Sequence, residues 1–434
     1  MQGIPKEKRQ HAHHLFQCLI AAIRPLRVEE LAEIFTIKFD TTDSVPSLME
    51  GWRPECPEEA VLSTCSTLIA VIEGEGSTIV QFSHFSVKEF LTSDRLWTSD
   101  IENIRFYHVP LGAAHTILAQ ACLTVLLQLD ENVDKKRLAT FPLAFYAARY
   151  WVDHARFGDV VSQIQDAMER LFNPRNPFFP AWVWIHDVDT GRFSRSIDTL
   201  TECPPWPQAT TLYYAALCGF SGLINYLIST HAEDVNARCG RQGTPLHAAS
   251  HKGQLDVTRS LLDHEVDVNM INAAKATPLC SAYAGGHVEV MRLLLDHGAD
   301  ADVSYTNRPL LNGASSNGHV EVVQLLLQNN VDVNRTSHSI KWTALHWASY
   351  DGHPKVVKLL LLHGAKINAL SEAHNTPLRI ASCQGHLEVV KTLLEHGADV
   401  HIRGEDNLTP FETATSNNHI EVAQLLLEHG AEKD

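Results

Sequence analysis

The chain has 434 residues, of which 44% are hydrophobic and 20% are charged, and its formal net charge is −16. Length and composition predict an ordinary globular protein of two or three domains and exclude the disordered and fibrous classes. Residues 1–110, 111–200 and 201–434 carry net charges of −6, −1 and −9, so no segment is basic enough to indicate a nucleic-acid partner. No apolar stretch is long enough to predict a membrane span.

Residues 1–110 are predicted to form a winged-helix-like domain, because three helices are followed by a β-hairpin. Proline at position 57, followed by Glu58 and Glu59, is typical of a helix start, where a missing N–H and negative charge are both tolerated. A further amphipathic helix follows the hairpin. The predicted elements are helix 6–23, helix 28–35, a helix opening at Pro57, strands 68–73 and 78–83, and helix 84–91.

The beginning of the chain also loosely resembles a signal peptide, because basic residues precede the apolar run 15–23. Gln17 interrupts that run, and no small-residue cleavage site follows it. The nine cysteines form no C-x-x-C pair, and Cys18 and Cys122 lie within apolar helical runs. Reduced, buried thiols in a cytoplasmic protein are therefore the expectation.

Residues 111–200 are predicted to be a helical segment and a linker. The helices are 112–129, 141–157 and 159–172, with a break at 173–180 and a less regular linker running to Pro207. Aromatic residues form a stripe on the middle helix, and helical spacing favours core packing over a cofactor site. The stripe consists of Phe141, Phe145, Tyr146, Tyr150 and Trp151.

Residues 201–434 contain a seven-fold internal repeat, marked by a Gly-His pair or its substitute. The markers begin at residues 219, 253, 286, 318, 352, 385 and 418, giving steps of 34, 33, 32, 34, 33 and 33 residues. A Thr-Pro-Leu-His-like box precedes most markers, with its best copy at Thr244–His247. An apolar helix follows each marker, as in Val320–Leu327. This period and this box are the signature of ankyrin repeats, whose helix pairs bury a core only when stacked.

The overall fold expected from these segments is mainly α-helical. It comprises an N-terminal winged-helix-like domain with a β-hairpin, a helical middle segment and a C-terminal ankyrin-repeat solenoid.

The 25 histidines do not predict a metal centre. Most lie in the box, after the Gly marker or at the end of the second helix, where packing and hydrogen bonding explain them. His11 and His14 share a helix face, but no third ligand is near in sequence. The segment Gly219–Leu223 lacks the final glycine of G-x-S-x-G, so a nucleophilic Ser221 is not favoured. The sequence therefore predicts no enzyme, no cofactor and no metal.

Four N-terminal and central segments resemble fungal STAND proteins, the NLR-like NACHT–ankyrin family. In that family a NACHT ATPase precedes a winged helix, a helical segment and ankyrin repeats, and the winged helix looks like the module named after GPI inositol-deacylase. The chain has no G-x-x-x-x-G-K-[ST] motif, so the family's nucleotide switch is not expected here. The chain thus looks like the C-terminal part of such a protein. The resembling segments are residues 3–10, 26–32, 82–91 and 141–148.

Partner binding is predicted on the concave face and loop tips of repeats three to five, where aromatic, arginine and other distinctive polar side chains are concentrated. Repeat lengths also vary there, with one residue fewer after Gly298 and one more after Asn330. For Trp342, packing against the stem of its own loop is an equal alternative. The predicted partner-binding residues are Tyr283, Tyr305, Arg308, Arg335, His338, Trp342, Tyr350 and Asp351.

The function expected from the sequence is a non-enzymatic protein-interaction protein whose ankyrin array senses or binds a protein ligand. Full-length STAND relatives are one possible class of partner. A DNA-binding winged-helix regulator with an ankyrin tail is the alternative, although the net charge of residues 1–110 opposes it. A lipid-ester hydrolase is a third hypothesis, and the resemblance to the deacylase-associated module is its only support.

Overall fold

A computed structural model describes residues 8–39, 45–49, 54–65, 67–74, 77–98, 100–190, 192–193, 200, 207–337 and 340–432. The chain divides into two compact units. Unit 1 comprises Met1–Asp234 and Cys239–Arg241, and unit 2 comprises Val235–Arg238 and Gln242–Asp434. Each unit is described by itself.

Unit 1 begins with a winged helix, as the order of elements predicts. Its sheet has the antiparallel order β1-β5-β4, with Val80 of the central strand pairing Leu26 on one side and Val71 on the other. Leu15 and Phe16 of the first helix are fully buried, so the run that resembles a signal peptide forms core in this fold. The elements are α1 (Arg9–Ala21), β1 (Leu26–Arg27), α2 (Val28–Ile34), β2 (Ile37–Lys38), β3 (Ser47–Leu48), α3 (Pro57–Cys65), β4 (Ile69–Gly74) and β5 (Ser77–Phe82).

The rest of unit 1 is helical and includes the first ankyrin helix pair. Two residues of the predicted aromatic stripe, Tyr146 and Trp151 on α9, are core and have no exposed surface, whereas Phe141, Phe145 and Tyr150 are half-buried. The Trp151 ring stacks 5.4 Å from Phe220, which follows α12. The elements are α4 (Phe85–Leu91), α5 (Asp94–Trp97), α6 (Glu102–Arg105), α7 (Leu111–Leu126), α8 (Lys135–Leu138), α9 (Ala144–Ala155), α10 (Val160–Phe172), α11 (Phe178–Ile185), β6 (His186–Asp187), β7 (Arg192–Phe193), α12 (Thr211–Cys218) and α13 (Ser221–His231).

The predicted break and linker after residue 173 are wrong in part, because α11 and the β6–β7 hairpin form there. Proline at position 177 precedes this helix. Burial of the apolar side chains of α11 stabilises the helix. Trp182 is fully buried, and its indole N–H donates to the Ala148 carbonyl at 3.0 Å. The Phe179 ring packs edge-on 5.3 Å from Tyr214 of α12. Tertiary burial of large aromatic rings thus overrides the local signal of Asn and Pro.

Two buried acids join parts of unit 1. Glu30 on α2 has no exposed side-chain surface and pairs with Arg24 and Arg27. Burial alone would raise the pKa of Glu30, but the hydrogen bonds and charges of Arg24 and Arg27 together outweigh burial and lower it. Glu33 accepts the backbone N–H of Leu143 at 2.6 Å, which fixes α2 against the start of α9.

Unit 2 is a stack of helix pairs that correspond to repeats two to seven. First helices pack on first helices and second helices on second helices, as in α14 with α16 and α15 with α17. The elements are α14 (Pro245–Lys252), α15 (Leu255–Leu262), α16 (Pro278–Gly285), α17 (Val288–Asp296), β8 (Ser304–Tyr305), β9 (Arg308–Pro309), α18 (Leu310–Ser316), α19 (Val320–Gln328), α20 (Ala344–Tyr350), α21 (Pro354–Leu362), α22 (Pro377–Gln384), α23 (Leu387–Glu395), α24 (Pro410–Ser416) and α25 (Ile420–Glu428).

The box and the glycine of each repeat set the helix ends. The Thr244 hydroxyl accepts the His247 N–H and so caps α14, and Pro245 occupies the first helical turn. Gly385 ends α22 in the left-handed region at φ +78. A Cβ atom there would also lie 2.4 Å from the His419 ring, so both backbone conformation and space favour glycine.

Within the part of the chain that the structure describes, no helix combines the length and apolarity needed to cross a membrane.

Candidate functional site

Six side chains of repeats three to five form two contacting groups, which the pairing of Tyr305 with Arg308 across β8 and β9 joins, and which together we call the aromatic–arginine cluster. Five of them are half-buried, and Tyr350 is 41% exposed. Five of the side chains lie on α16, β8, β9 and α20, and the sixth, Trp342, lies in the loop before α20. The members are Tyr283, Tyr305, Arg308, Trp342, Trp347 and Tyr350.

One end of the cluster surrounds a small cavity of about 100 Å³. Tyr283 and Tyr305 line it, with their rings 6.2 Å apart and edge-on. The Tyr283 hydroxyl accepts the side-chain N–H of Asn317 at 2.9 Å. Burial raises the pKa of Tyr283, so the hydroxyl keeps its proton near neutral pH. Gly313 also lines the cavity, and because it has no side chain it does not fill that space.

Arg308 connects that cavity to the tryptophan end of the cluster. Its guanidinium lies over the Trp347 ring, 4.6 Å from the centroid, which is cation–π geometry. Trp347 packs edge-on against Trp342 at 4.7 Å, and Trp342 lies 5.4 Å from the Tyr350 ring. Trp342 also stacks 6.1 Å from His346 of its own box. Trp342 therefore packs on the stem of its own loop, as the alternative predicted, and also adjoins exposed Tyr350.

A two-residue hairpin presents Tyr305 and Arg308. These residues pair across β8 and β9, and the turn residues Thr306 and Asn307 have φ of 52 and 63. Positive φ at both central positions is the type I′ pattern, which matches the twist of paired strands. The repeat that is one residue shorter after Gly298 therefore closes its loop with this two-residue turn.

The remaining predicted partner residues have different surroundings. Asp351 is exposed and accepts the Ser316 hydroxyl at 2.6 Å. Arg335 pairs with Asp302 at 2.8 Å and also donates to the Asp302 carbonyl, so it holds two loops of the array together. His338 lies outside the described residues. The structure therefore gives Arg335 an internal role and leaves Asp351 accessible beside the cluster.

The sequence interpretation missed Trp347, although its position carried a signal. Trp347 follows the box histidine, where the three preceding repeats have Ala248, Ser281 and Gly313. A tryptophan after three small residues at this position could have been noticed, although repeats one and six also have large residues there. Asn317 was not noticeable, because an amide before the Gly marker is ordinary and only the fold brings it to Tyr283.

The histidines have structural roles where the structure shows their contacts. In the boxes, the Nε2–H of His247 donates to the Ala276 carbonyl at 3.0 Å, while Nδ1 accepts from Thr244. After the Gly marker, His386 donates to the Tyr350 carbonyl of the preceding repeat at 2.9 Å. No group of three or more metal-ligating side chains occurs among the residues that the structure describes.

The other chemical hypotheses gain no support from geometry. Ser221 opens α13, and within the described ranges its hydroxyl forms no hydrogen bond with a histidine. In the winged helix, α3 carries exposed Glu58 and Glu59 and no lysine or arginine. An acidic third helix repels a phosphate backbone, so this surface does not favour DNA.

The stacked helix pairs, with threonine-capped first helices and histidines bridging neighbouring pairs, define an ankyrin-repeat protein that also carries a winged helix. Four overlapping ranges, residues 212–307, 258–337, 311–404 and 370–434, each match a family model that describes three copies of the ankyrin repeat. Together these ranges cover half of the chain. The chain belongs to the ankyrin-repeat family, whose repeats support a protein–protein interaction role. Residues 2–102 match the winged helix domain of GPI inositol-deacylase.

Two individual proteins are similar to this chain. The azaphilone pigments biosynthesis cluster protein L of Monascus ruber is 30% identical over 268 residues, covering 56% of this chain and 53% of that protein. The chain thus spans about half the length of this curated relative. The crystal structure of the human ASB11 ankyrin repeat domain is 27% identical, with a TM-score of 0.45, covering 52% of this chain and 100% of that one.

Proposed function

We propose that this chain is a non-enzymatic interaction protein that binds a protein ligand through repeats three to five of its ankyrin array. The observation that carries the proposal is the aromatic–arginine cluster. It places tyrosine, tryptophan and arginine side chains in mutual contact at a partly open surface. These are the residue types enriched at interface hot spots. Asp351 and the concave face around it extend the proposed surface.

The proposal includes a coupling role for the N-terminal half. A winged helix of this type occurs in fungal NACHT proteins. The chain contains no phosphate-binding loop motif. The role that we propose is therefore STAND-like ligand binding without a nucleotide switch. We propose the cytoplasm as the location of this role. Full-length STAND relatives are a proposed class of partner.

Capture of partners by crosslinking tests the proposal. The full chain, its Tyr350→Ala variant and a Leu362→Ala control would each be incubated with extract of the source organism. Leu362 is also exposed and apolar, at the end of α21, but it is outside the cluster. We expect Tyr350→Ala to lose most of the captured protein and Leu362→Ala to retain it. Equal recovery by all three proteins would show that the cluster is not the binding surface.

Arg335 provides a second comparison. Because Arg335 already pairs with Asp302 between two partly exposed loops, Arg335→Ala should lower the thermal midpoint slightly and leave the captured proteins unchanged. If Arg335→Ala retains its thermal midpoint but loses the partners lost by Tyr350→Ala, then Arg335 contacts the ligand directly.

A further inference from the structure

Arg308 differs from three other arginines that lie in or next to the loops of repeats four to seven. Arg335, Arg379 and Arg403 each pair with a carboxylate. Arg308 forms no ion pair with any residue in the described part of the chain, although it is half-buried. The face of Trp347 positions its guanidinium without using its N–H donors. A half-buried cation held in place with unused donors is prepared for an anionic acceptor.

A second donor converges on the same point. An atom in the position of a Gly313 Cβ would lie 3.5 Å from the Tyr283 hydroxyl oxygen and 4.0 Å from Arg308 Nε. The Tyr283 oxygen already accepts from Asn317, and none of the described residues accepts the proton of this hydroxyl. The cavity above Gly313 is therefore lined by two groups that can donate, and its volume of about 100 Å³ accommodates a carboxylate.

Charge on the adjacent loops agrees with an anionic ligand. Lys275 and Lys341 are exposed at the corresponding turns of the neighbouring repeats, where both have positive φ. The loops of the last two repeats instead carry Glu372, Glu405 and Asp406. The tips of three successive loops, residues 271–276, 304–309 and 337–342, each carry one lysine or arginine and no carboxylate, whereas Asp300, Asp302 and Asp332 lie in the loop stems. Cationic loop tips centred on Arg308 favour an acidic partner through local complementarity.

We propose that Arg308 and Tyr283 bind the side-chain carboxylate of an aspartate or glutamate in the partner, while Tyr305, Trp342 and Tyr350 contact its apolar neighbours. This inference rests on the proposed function, because it assigns the chemistry of the ligand at the same surface. The net charge of the array alone would favour basic or neutral partners, so this assignment depends on the local arrangement around Arg308.

An array of short, end-blocked peptides tests the inference. Each random sequence would be printed in matched forms with glutamate, glutamine, lysine or phosphoserine at its centre, and probed with the labelled full chain. We expect glutamate forms to bind about tenfold more tightly than glutamine forms, the size of one charge-assisted hydrogen bond. Arg308→Gln should abolish this ratio, and Tyr283→Phe should reduce it several-fold.

Lys355→Gln is the matched control, because Lys355 is an exposed cation on α21 outside the cluster. It should leave the glutamate-to-glutamine ratio unchanged. If Arg308→Gln keeps the ratio, or no peptide binds, the carboxylate inference is wrong, while the proposed function depends on the capture experiment. Tighter binding of phosphoserine than of glutamate would replace the carboxylate with a phosphate. An unchanged thermal midpoint of Arg308→Gln excludes misfolding as the cause.

Discussion

The fourth residue of the Thr-Pro-Leu-His box performs one task with different side chains. His247 and His346 each donate to a backbone carbonyl in the next loop, at 3.0 Å in both repeats. In repeat four, Asn312 replaces the histidine and donates to the Trp342 carbonyl at 3.1 Å. In repeat six, Arg379 donates to the Leu408 carbonyl at 3.1 Å. The constraint is therefore a donor that joins consecutive loops, and histidine is one way to meet it.

Removing this donor should cost stability. His346→Ala deletes a fully buried ring that bonds to Thr343 and to the Asn375 carbonyl. We expect the free energy of unfolding to fall by about 2–3 kcal/mol, because a cavity forms and a carbonyl loses its partner. Urea unfolding followed by tryptophan fluorescence measures the change. His363→Ala, at an exposed site in the same repeat, should change it by less than about 0.5 kcal/mol. Equal losses would contradict the donor role.

Two glycines separate backbone strain from crowding. Gly385 and Gly364 have φ of +78 and +85, but only Gly385 has a neighbour, the His419 ring, in the space of a Cβ atom. We expect Gly364→Ala to lower the free energy of unfolding by about 1 kcal/mol through backbone strain alone. Gly385→Ala should lower it by at least about 1 kcal/mol more, because the ring must move. Indistinguishable denaturation midpoints would show that the ring yields freely.

At the scale of elements, only a small part of the surface of helix α4 packs against the rest of unit 1. Leu91 has no exposed surface, whereas Phe85 and Phe90 are 72% and 46% exposed. The amphipathic pattern correctly predicts a helix, but it also implies that the phenylalanines face the core. Which apolar side chains are covered depends on neighbours distant in sequence, such as Val109, whose N–H donates to the Leu91 carbonyl at 2.9 Å.

This attachment gives a direct prediction. Leu91→Ala should lower the free energy of unfolding by about 2–4 kcal/mol, as for a buried leucine. Phe90→Ala should lower it by less than about 1 kcal/mol despite removing the larger side chain, because half of that ring already contacts water. Thermal unfolding of the two variants, side by side, measures the difference. A larger loss for Phe90→Ala would mean that α4 packs through the other face.

A feature of this fold can be predicted from the sequence when it depends on local chemistry, and cannot when it depends on neighbours distant in sequence. Helix ends in the array follow from local chemistry: threonine at the cap, proline in the first turn and glycine after the last, as Thr376, Pro377 and Gly385 show. Contacts within the cluster do not follow from local chemistry. Arg308 and Trp347 are distant in sequence, and only the stacking of adjacent repeats places one over the other. The sequence does not predict helix α11 for the same reason, because its aromatic residues pack against α9, α10 and α12.

For the whole molecule, both units contain histidines that are neutral because they are buried. In unit 1, Tyr146 bonds to His154 at 2.9 Å, and His154 bonds to His115 at 2.9 Å, linking α9 to α7. Burial, with a smaller contribution from His115, lowers the pKa of His154 from 6.5 to about 3. In unit 2, burial lowers the pKa of His346 from 6.5 to about 4, against the opposing effect of its backbone hydrogen bonds.

Acid should therefore destabilise both units over the same pH range. Below about pH 6.5 the unfolded chain takes up protons that the folded chain excludes, so each of these histidines lowers the free energy of unfolding by about 1.4 kcal/mol per pH unit until its folded pKa is reached. Above that pH the contribution disappears. The array supplies its own control, because asparagine already fills the box position in repeat four. Urea unfolding of wild type and His346→Asn between about pH 7 and 5 should show a smaller pH slope for the variant. Identical slopes would mean that His346 titrates in the folded chain, and that burial does not hold it neutral.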